Sequence, residues 1–407
     1  IRVPSLENLR TAWRSLMDEH PDAALACRVD ERNWITVPAA ERDAFVRATI
    51  VPIEDPAPED ADTYLARSVH LLPADRPVLI GVGERSLLML CSHQLGDGAT
   101  VTSLIRALLD GDVDGLGALA RKADLPDVVR AARAQARGHG REWWSMARRR
   151  IAGLRGGGST AEPADPTPGA SPTRPAGSEA GSANRTAVVS VRWSSAELQQ
   201  ISRWRTRHAK GMSITSVLTA VTQRALVDAG LPMATGGFHS LVDLRRYLPD
   251  SEQSFLAGNL AKSVRIEADP TDLRAIGEAS RTMVESARPV LSTVLGAMAG
   301  AVTRRRTSEA AAASADGPVS MTFNSMPALP GLSALPWLPG QARQYVGVGY
   351  PAGPLSITVF AMRMREHMQV TAAFPESLID PELVRGILAS IPHRIDDLVD
   401  APPPADA

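Results

Sequence analysis

The chain has 407 residues, a hydrophobic content of 44% and a formal net charge of −1. This length favours two lobes over a single core, and the near-zero charge excludes a general electrostatic attraction to nucleic acid or anionic lipid. The two cysteines, Cys27 and Cys91, fit neither a metal-ligand spacing nor a disulfide framework, so we expect no metal site and a reducing compartment.

No apolar stretch of the sequence reaches the roughly 20 residues that a membrane span needs. No signal-peptide pattern is visible in a chain that opens at Ile1. We therefore expect a cytoplasmic protein without a membrane span, and we expect it to act as a monomer.

A segment poor in large apolar residues divides the chain. Residues 156–185 are rich in Pro, Gly, Ser and Ala, and nothing in them offsets the entropy of ordering the backbone. We interpret this segment as a disordered linker between an N-terminal lobe, residues 1–155, and a C-terminal lobe, residues 186–407.

The predicted elements of the first lobe begin with an amphipathic helix that carries Leu6, Leu9 and Trp13 on one side and stops at His20-Pro21. Apolar runs then predict strands at Ala24–Val29, Trp34–Val37, Val78–Val82 and Leu87–Ser92. Apolar spacing predicts a helix over Val101–Leu109.

The second lobe also alternates strands with helices, which makes the class α/β and predicts two sheet lobes around a cleft. Predicted helices start at the capping box Ser194-x-x-Glu197, span Ile214–Asp228 and Thr271–Ala287, and start again at Asp380-Pro381. Predicted strands are Ala187–Trp193, Gly237–Leu244, a strand ending at Ile266, Val319–Asn324, Leu355–Met364 and Met368–Ala373.

The apolar strand Leu87–Ser92 ends in a motif with catalytic potential, His93-x-x-x-Asp97-Gly98. A histidine at the mouth of a strand has a rigid backbone and a side chain free to face a substrate. Its unperturbed pKa of about 6.5 suits a general base near neutral pH. The alternative is a loop histidine followed by an aspartate that only caps the next helix.

The motif resembles the HHxxxDG signature of the superfamily that contains chloramphenicol acetyltransferase, nonribosomal peptide synthetase condensation domains, and polyketide-associated and wax-ester-type acyltransferases. This resemblance implies two lobes, each a mixed sheet with helices, enclosing a central cleft or tunnel. It also implies that His93 is the catalytic base and that Gly98 offers its backbone N–H to the substrate carbonyl.

The resemblance assigns further residues in both lobes. Asp97 pairs with Arg245 in a segment that looks like the family's "VDLR", and the pair holds the active-site loop in shape. Asn324, Ser92 and Asn259 are candidates for the substrate tunnel, and Asn259 also matches the family's "GN" pair. The alternative for Arg245 is a solvated surface arginine. The alternative for Asn324 is a turn residue at the end of a strand, and for Asn259 it is a structural turn.

The chain departs from the family pattern at two places. Ser92 replaces the first histidine of the pair, at a position that mostly shapes the loop. The DFGWG-type segment of synthetase condensation domains is absent, and the corresponding region offers only Val346-Gly347-Val348-Gly349-Tyr350. This favours a free-standing acyltransferase over a module of a synthetase.

The resemblance predicts transfer of an acyl group from a carrier-protein or coenzyme A thioester to a small amine or alcohol, in natural-product or complex-lipid biosynthesis. It implies no cofactor beyond that thioester, and an acyl or peptidyl carrier protein as the partner where CoA is not the donor. The alternatives are a wax-ester or diacylglycerol-type acyl-CoA:alcohol acyltransferase and a catalytically silent protein that binds a carrier protein.

A basic stretch, residues 130–155, surrounds Trp143-Trp144. Its simpler interpretation is a solvated helix that packs through its tryptophans. The alternative is a docking surface for an acidic carrier protein or a membrane.

The linker interpretation makes a prediction about proteolysis. Because residues 156–185 are expected to pack against nothing, limited trypsin treatment should cut there first and leave two large fragments. Trimming the segment should change the free energy of unfolding by less than about 1 kcal/mol. Resistance of this segment to trypsin would contradict the linker interpretation.

Overall fold

The computed structural model describes residues 1–30, 33–119, 125–155, 185–248, 259–269, 271–302, 317–326, 332–341, 343–351 and 353–400. The predicted linker lies outside the described residues, apart from Arg185. Mixed sheets and helices alternate along the chain, which confirms the α/β class.

The first half of the chain forms a small sheet and a hairpin among helices. Its helices are α1 (Leu6–Glu19), α2 (Arg42–Thr49), α3 (Ala61–Ser68), α4 (Gly98–Asp110), α5 (Val113–Leu119) and α6 (Leu125–Arg155). Its strands are β1 (Cys27–Asp30), β2 (Asn33–Thr36), β3 (Ile50–Pro52), β4 (Val78–Val82) and β5 (Leu87–Cys91). Strand β3 pairs parallel to β4, β4 pairs antiparallel to β5, and β1 and β2 form an antiparallel hairpin.

The second half forms a six-stranded mixed sheet covered by helices. Its strands are β6 (Thr186–Ser194), β7 (Phe238–Asp243), β8 (Ala261–Ile266), β9 (Ser320–Met326), β10 (Ser356–Arg363) and β11 (His367–Pro375), in the order β6-β11-β10-β9-β7-β8. Its helices are α7 (Ser195–His208), α8 (Ile214–Asp228), α9 (Leu273–Glu285), α10 (Arg288–Val302), α11 (Pro381–Ser390) and α12 (Ile395–Asp400).

Two helices begin directly after capping residues that the sequence contains. Ser194 and Glu197 form the reciprocal capping box that opens α7. Helix α4 begins after Asp97, whose carboxylate accepts the Thr100 N–H, and ends at Gly111, which has a φ of 69°. Helix α4 therefore begins at Gly98, three residues before Val101, where the apolar spacing predicted its start.

Other predictions need correction. The predicted strand Ala24–Val29 begins only at Cys27, because Ala24–Ala26 form a 3₁₀ turn that is buried on all sides and has no alternating pattern. Helices α2, α3 and α10 were not predicted. Helix α10 is apolar along much of its length, so it lacks the periodic polar face that reveals a helix in a sequence.

Helix α6 belongs to the core of the second half, although it precedes the predicted linker. Its Val128, Ala131 and Trp143 are buried in that core. The indole N–H of Trp143 donates to the carbonyl of Ser286 at 3.0 Å. Trp144 is 60% exposed, and the Arg148 guanidinium lies 5.2 Å from the centre of its ring. One tryptophan therefore anchors the basic helix, and the other lies on its surface.

Residues 332–341 and 343–351, which we call the crossover segment, run from the second half of the chain onto the first. Leu332 and Leu335 pack against Ile105 and Leu109 of α4. Further along, Val346 and Val348 pack against residues of α3, β4 and β5. The side-chain amide of Gln344 donates to the Pro58 carbonyl at 2.9 Å, and the Tyr350 hydroxyl donates to the Val69 carbonyl. This segment is therefore a contact between the two halves.

A cavity of about 4570 Å³ lies between the two halves, and both contribute to its walls. Its wall includes the motif His93–Gly98, the crossover segment and the inner ends of β7, β9 and β10. The central cleft that the resemblance implies is therefore present.

A buried carboxylate ties the two halves together away from the motif. Asp62 of α3 is 4% exposed and accepts from the Arg385 Nη1 at 2.7 Å and from the Ser190 N–H at 2.9 Å. Both donors belong to the second half, on α11 and β6. Since a buried charge must be paired, this contact fixes the position of α3 against the larger sheet.

Breaking the Asp62–Arg385 pair should destabilise the protein. Arg385→Met removes the cation and leaves the buried Asp62 charge, so we expect a loss of about 1–3 kcal/mol in the free energy of unfolding by urea. Arg394→Met is the matched control, because Arg394 is 44% exposed at 3.5 Å from Asp228. Its loss should stay below about 1 kcal/mol. Equal losses for the two variants would contradict a structural role for the Asp62 pair.

Candidate active site

The motif loop connects β5 to α4. The Ser92 N–H donates to the Pro77 carbonyl at 2.8 Å, and the Ser92 carbonyl accepts the Leu95 N–H at 2.9 Å. The Ser92 hydroxyl accepts the Gln94 N–H at 3.2 Å. These contacts are all local to the turn. Ser92 lies on the cavity wall and shapes the loop that presents the next residue, His93.

His93 is exposed to the cavity, which protein surrounds. Desolvation lowers the pKa of the His93 imidazole below its ordinary value, while the Asp97 charge and a hydrogen bond to the Gly96 backbone act in the opposite direction. The imidazole is therefore neutral near pH 7. A neutral imidazole exposed to the cavity can accept a proton from a bound group.

Asp97 is buried and bonded to several protein groups. It is 4% exposed, and its Oδ2 and Oδ1 accept from the Arg245 Nη1 at 2.7 Å and Nη2 at 3.2 Å. Its Oδ1 also accepts the Thr100 N–H at 3.2 Å, and its Oδ2 the Leu260 N–H at 3.0 Å. The pairing with Arg245 that the resemblance implies is therefore present in the structure, with the geometry of a bidentate fork.

Arg245 is held by the same network from the second half of the chain. It opens a short 3₁₀ turn after β7, and its Nη1 also donates to Asp243 Oδ1 at 3.1 Å. Burial disfavours the cation, but the hydrogen bonds and charges of Asp97 and Asp243 outweigh this effect and raise the pKa of Arg245. Arg245 is therefore a buried partner of Asp97 and not a solvated surface arginine.

Asn259 reaches the cavity because its neighbour Leu260 is bonded to Asp97. The Oδ1 of Asn259 is buried and has no hydrogen-bond partner within the described residues. A buried amide oxygen without a partner is costly, so it suits a donor on a bound substrate. Asn324 lies on β9, half-buried on the cavity wall opposite Phe360 of β10.

Tyr345 was not singled out from the sequence, but the crossover segment brings it to the motif. Its hydroxyl is hydrogen-bonded to Thr102, and burial raises the pKa of Tyr345 to about 12. The Thr102 hydroxyl donates to the Gly98 carbonyl at 2.8 Å. Tyr345 therefore lies beside the first turn of α4.

Gly98 is the first residue of α4, and it lines the cavity. The first N–H groups of a helix have no acceptor within the helix, and the helix dipole places partial positive charge there. The backbone at Gly98 is therefore suited to a developing negative charge on a substrate oxygen.

No thiolate chemistry is expected at this site. Cys91 lies two residues before His93, and burial raises the pKa of its thiol to about 12. A thiol with this pKa stays protonated and unreactive near neutral pH.

One group of residues has metal-ligand types, but it lies away from the cavity wall. Glu19, His20 and Asp114 have ligand atoms within 4.8 Å of one another. Both carboxylates are exposed, and exposed acidic groups are common without an ion. Among the described helices, none combines the length and hydrophobicity that a bilayer crossing requires.

Solved structures with the same fold cover almost the whole chain. The trichothecene 15-O-acetyltransferase TRI3 of Fusarium sporotrichioides matches with a TM-score of 0.60 and 13% identity, over 98% of this chain and 88% of that one. The first condensation domain of the calcium-dependent antibiotic synthetase matches with a TM-score of 0.54 and 15% identity, over 98% and 90%.

The epimerization domain from the third module of tyrocidine synthetase B matches with a TM-score of 0.51 and 13% identity, over 98% and 90% of the two chains. No protein-family model and no curated protein sequence matches the chain. These matches confirm, at the level of the fold, the two-lobed architecture that the resemblance implies.

The Asp97–Arg245 pair can be tested by a double-mutant cycle. Asp97→Asn and Arg245→Met should each cost about 3–5 kcal/mol in the free energy of unfolding, because each leaves an uncompensated buried charge. The double variant should lose less than the sum of the two, since no orphan charge remains. Denaturant unfolding of the four proteins measures this. Strict additivity would mean that the two side chains do not act as a pair.

Proposed function

We propose that the protein is an acyltransferase that moves an acyl group from a thioester of coenzyme A or a carrier protein to an amine or alcohol. The observation that carries the proposal is the geometry of the motif loop. A neutral imidazole faces the cavity, and the start of helix α4, with its unsatisfied backbone N–H groups, lines the same cavity. Acyl transfer needs a base for the acceptor and donors for the oxyanion.

In the proposed reaction, the His93 imidazole accepts a proton from the acceptor amine or hydroxyl as its lone pair attacks the thioester carbonyl carbon. A C–N or C–O bond forms, and the carbonyl oxygen gains negative charge, which the Gly98 N–H stabilises. The C–S bond then breaks, and the departing thiolate takes the proton from His93. The products are an amide or ester and a free thiol, and no group on the enzyme is acylated.

The other residues of the site act through position. Asp97 and Arg245 hold the loop, because their hydrogen bonds join the start of α4 to the second half of the chain. Asn259 and Asn324 are candidates for contact with the substrate. The fold also occurs in an epimerization domain, so the fold alone does not select acyl transfer, and the proposal rests on the site.

The alternatives differ in donor, acceptor or activity. An acyl-CoA:alcohol enzyme of the wax-ester or diacylglycerol type would use the same base with a hydrophobic alcohol. A silent carrier-binding protein would need neither a base facing the cavity nor a buried aspartate to hold it. The protein can be incubated with acyl-CoA and acyl-carrier donors together with amines and alcohols, and the products identified by mass spectrometry. An amide or ester shows acyl transfer and identifies the acceptor, whereas the silent carrier-binding protein gives no product.

Removal of the base gives the direct test. His93→Ala should fold with an unchanged unfolding midpoint and lower kcat/KM for acyl transfer by about 100-fold or more. His70→Ala is the matched control, because His70 lines the same cavity outside the motif. It should retain turnover within about threefold. Full activity in a folded His93→Ala protein would exclude His93 as the base.

The lowered pKa of His93 also predicts the pH profile. Only the neutral imidazole accepts a proton, so kcat/KM should fall on acidification as His93 becomes protonated. Because desolvation lowers its pKa, the midpoint of this fall should lie below the ordinary histidine value of about 6.5. A midpoint above that value would contradict the desolvated environment described for His93.

A further inference from the structure

One wall of the cavity is apolar and begins at the motif. We call it the α4 strip, and it consists of side chains from α4, β9, β10 and the crossover segment that all line the cavity: Val101, Ile105, Met326, Leu335, Trp337 and Met362. These residues pack in one cluster. Val101, Met326 and Trp337 are partly exposed, whereas Ile105, Leu335 and Met362 are buried together with Leu109 and Leu332.

The α4 strip continues directly from the proposed oxyanion site. Gly98, Val101 and Ile105 are separated by three and four residues, so they share one face of α4. All three line the cavity. From Gly98 to Ile105 the helix rises about 10 Å. A group bonded to a carbonyl whose oxygen sits at the Gly98 N–H would therefore extend along this face.

The polar atoms of the aromatic residues in this wall are already occupied. The Trp337 indole N–H donates to the Leu332 carbonyl at 2.9 Å. A hydrogen bond links the Tyr345 hydroxyl to Thr102. Both rings thus present carbon atoms to the cavity. A polar acyl group would have to give up its hydration without new partners along this wall.

We propose that the α4 strip binds the hydrocarbon part of the acyl donor, so that the enzyme prefers an apolar acyl chain several carbons long to an acetyl group. This inference rests on the proposed function. In this proposal, Ile105 and Val101 limit the length of the acyl chain that fits, while His93 and Gly98 carry out the chemistry. The occupant is the acyl chain and not the acceptor, because the strip starts where the acyl carbonyl would be held.

The test is a series of straight-chain donors from acetyl to dodecanoyl with one fixed acceptor, on whichever thioester the wild-type protein accepts. Each buried methylene should raise kcat/KM about fourfold until the strip is filled. In parallel, calorimetry with non-hydrolysable acyl thioethers of pantetheine should give tighter Kd values as the chain lengthens. The calorimetric measurement does not depend on turnover.

Substitutions in the strip should change the length preference alone. Ile105→Trp should lower the ratio of kcat/KM for long chains to kcat/KM for acetyl at least tenfold. Ile105→Ala should shift the optimum to longer chains, and Val101→Phe provides a second shortening variant if Ile105→Trp does not fold. Ala66→Trp is the control, since it places a tryptophan elsewhere on the cavity wall, in α3.

The outcomes separate the two claims. Acetyl transfer without any gain from longer chains, or equal effects of Ile105→Trp and Ala66→Trp, would overturn the α4 strip while the acyltransferase proposal stands. Length-dependent binding that Ile105→Trp weakens, together with no product from any donor, would support the strip and refute the proposed reaction.

Discussion

The ion pair between Asp97 and Arg245 is the contact on which the site depends. One carboxylate caps α4, accepts the Leu260 N–H and forms a fork with an arginine from the other half of the chain. Because a buried carboxylate cannot lose these partners cheaply, the start of α4 has one position relative to the second half. His93 lies four residues before Asp97, so this pair also fixes where the base faces the cavity.

The two halves that line the cavity are joined by several contacts. Asp62 with Arg385 and the crossover segment form two further contacts between the halves. Each joins elements of the smaller sheet or its helices to the larger one, and the cavity lies between the halves. Desolvation beside this cavity lowers the pKa of His93, which keeps the base neutral near pH 7.

The sequence predicted what local chemistry determines. Capping residues and apolar periodicity gave the starts of α7 and α8 and most strands, and the motif with its family resemblance gave the Asp97–Arg245 pair. Non-local packing could not be predicted from the sequence. The crossover segment forms no described strand, so no period marks its path to Tyr345. Helix α6 packs into the core beyond the linker, because tertiary burial of Trp143 and not chain order decides which core it joins.

Helix α4 connects the chemistry of the site with its selectivity. Its first N–H groups are suited to an oxyanion, while Val101 and Ile105, one and two turns later, are suited only to hydrocarbon. The structures that share this fold at 13–15% identity include an acetyltransferase, a condensation domain and an epimerization domain. A fold shared by such different proteins does not set the substrate, so selectivity must come from the residues that line the cavity.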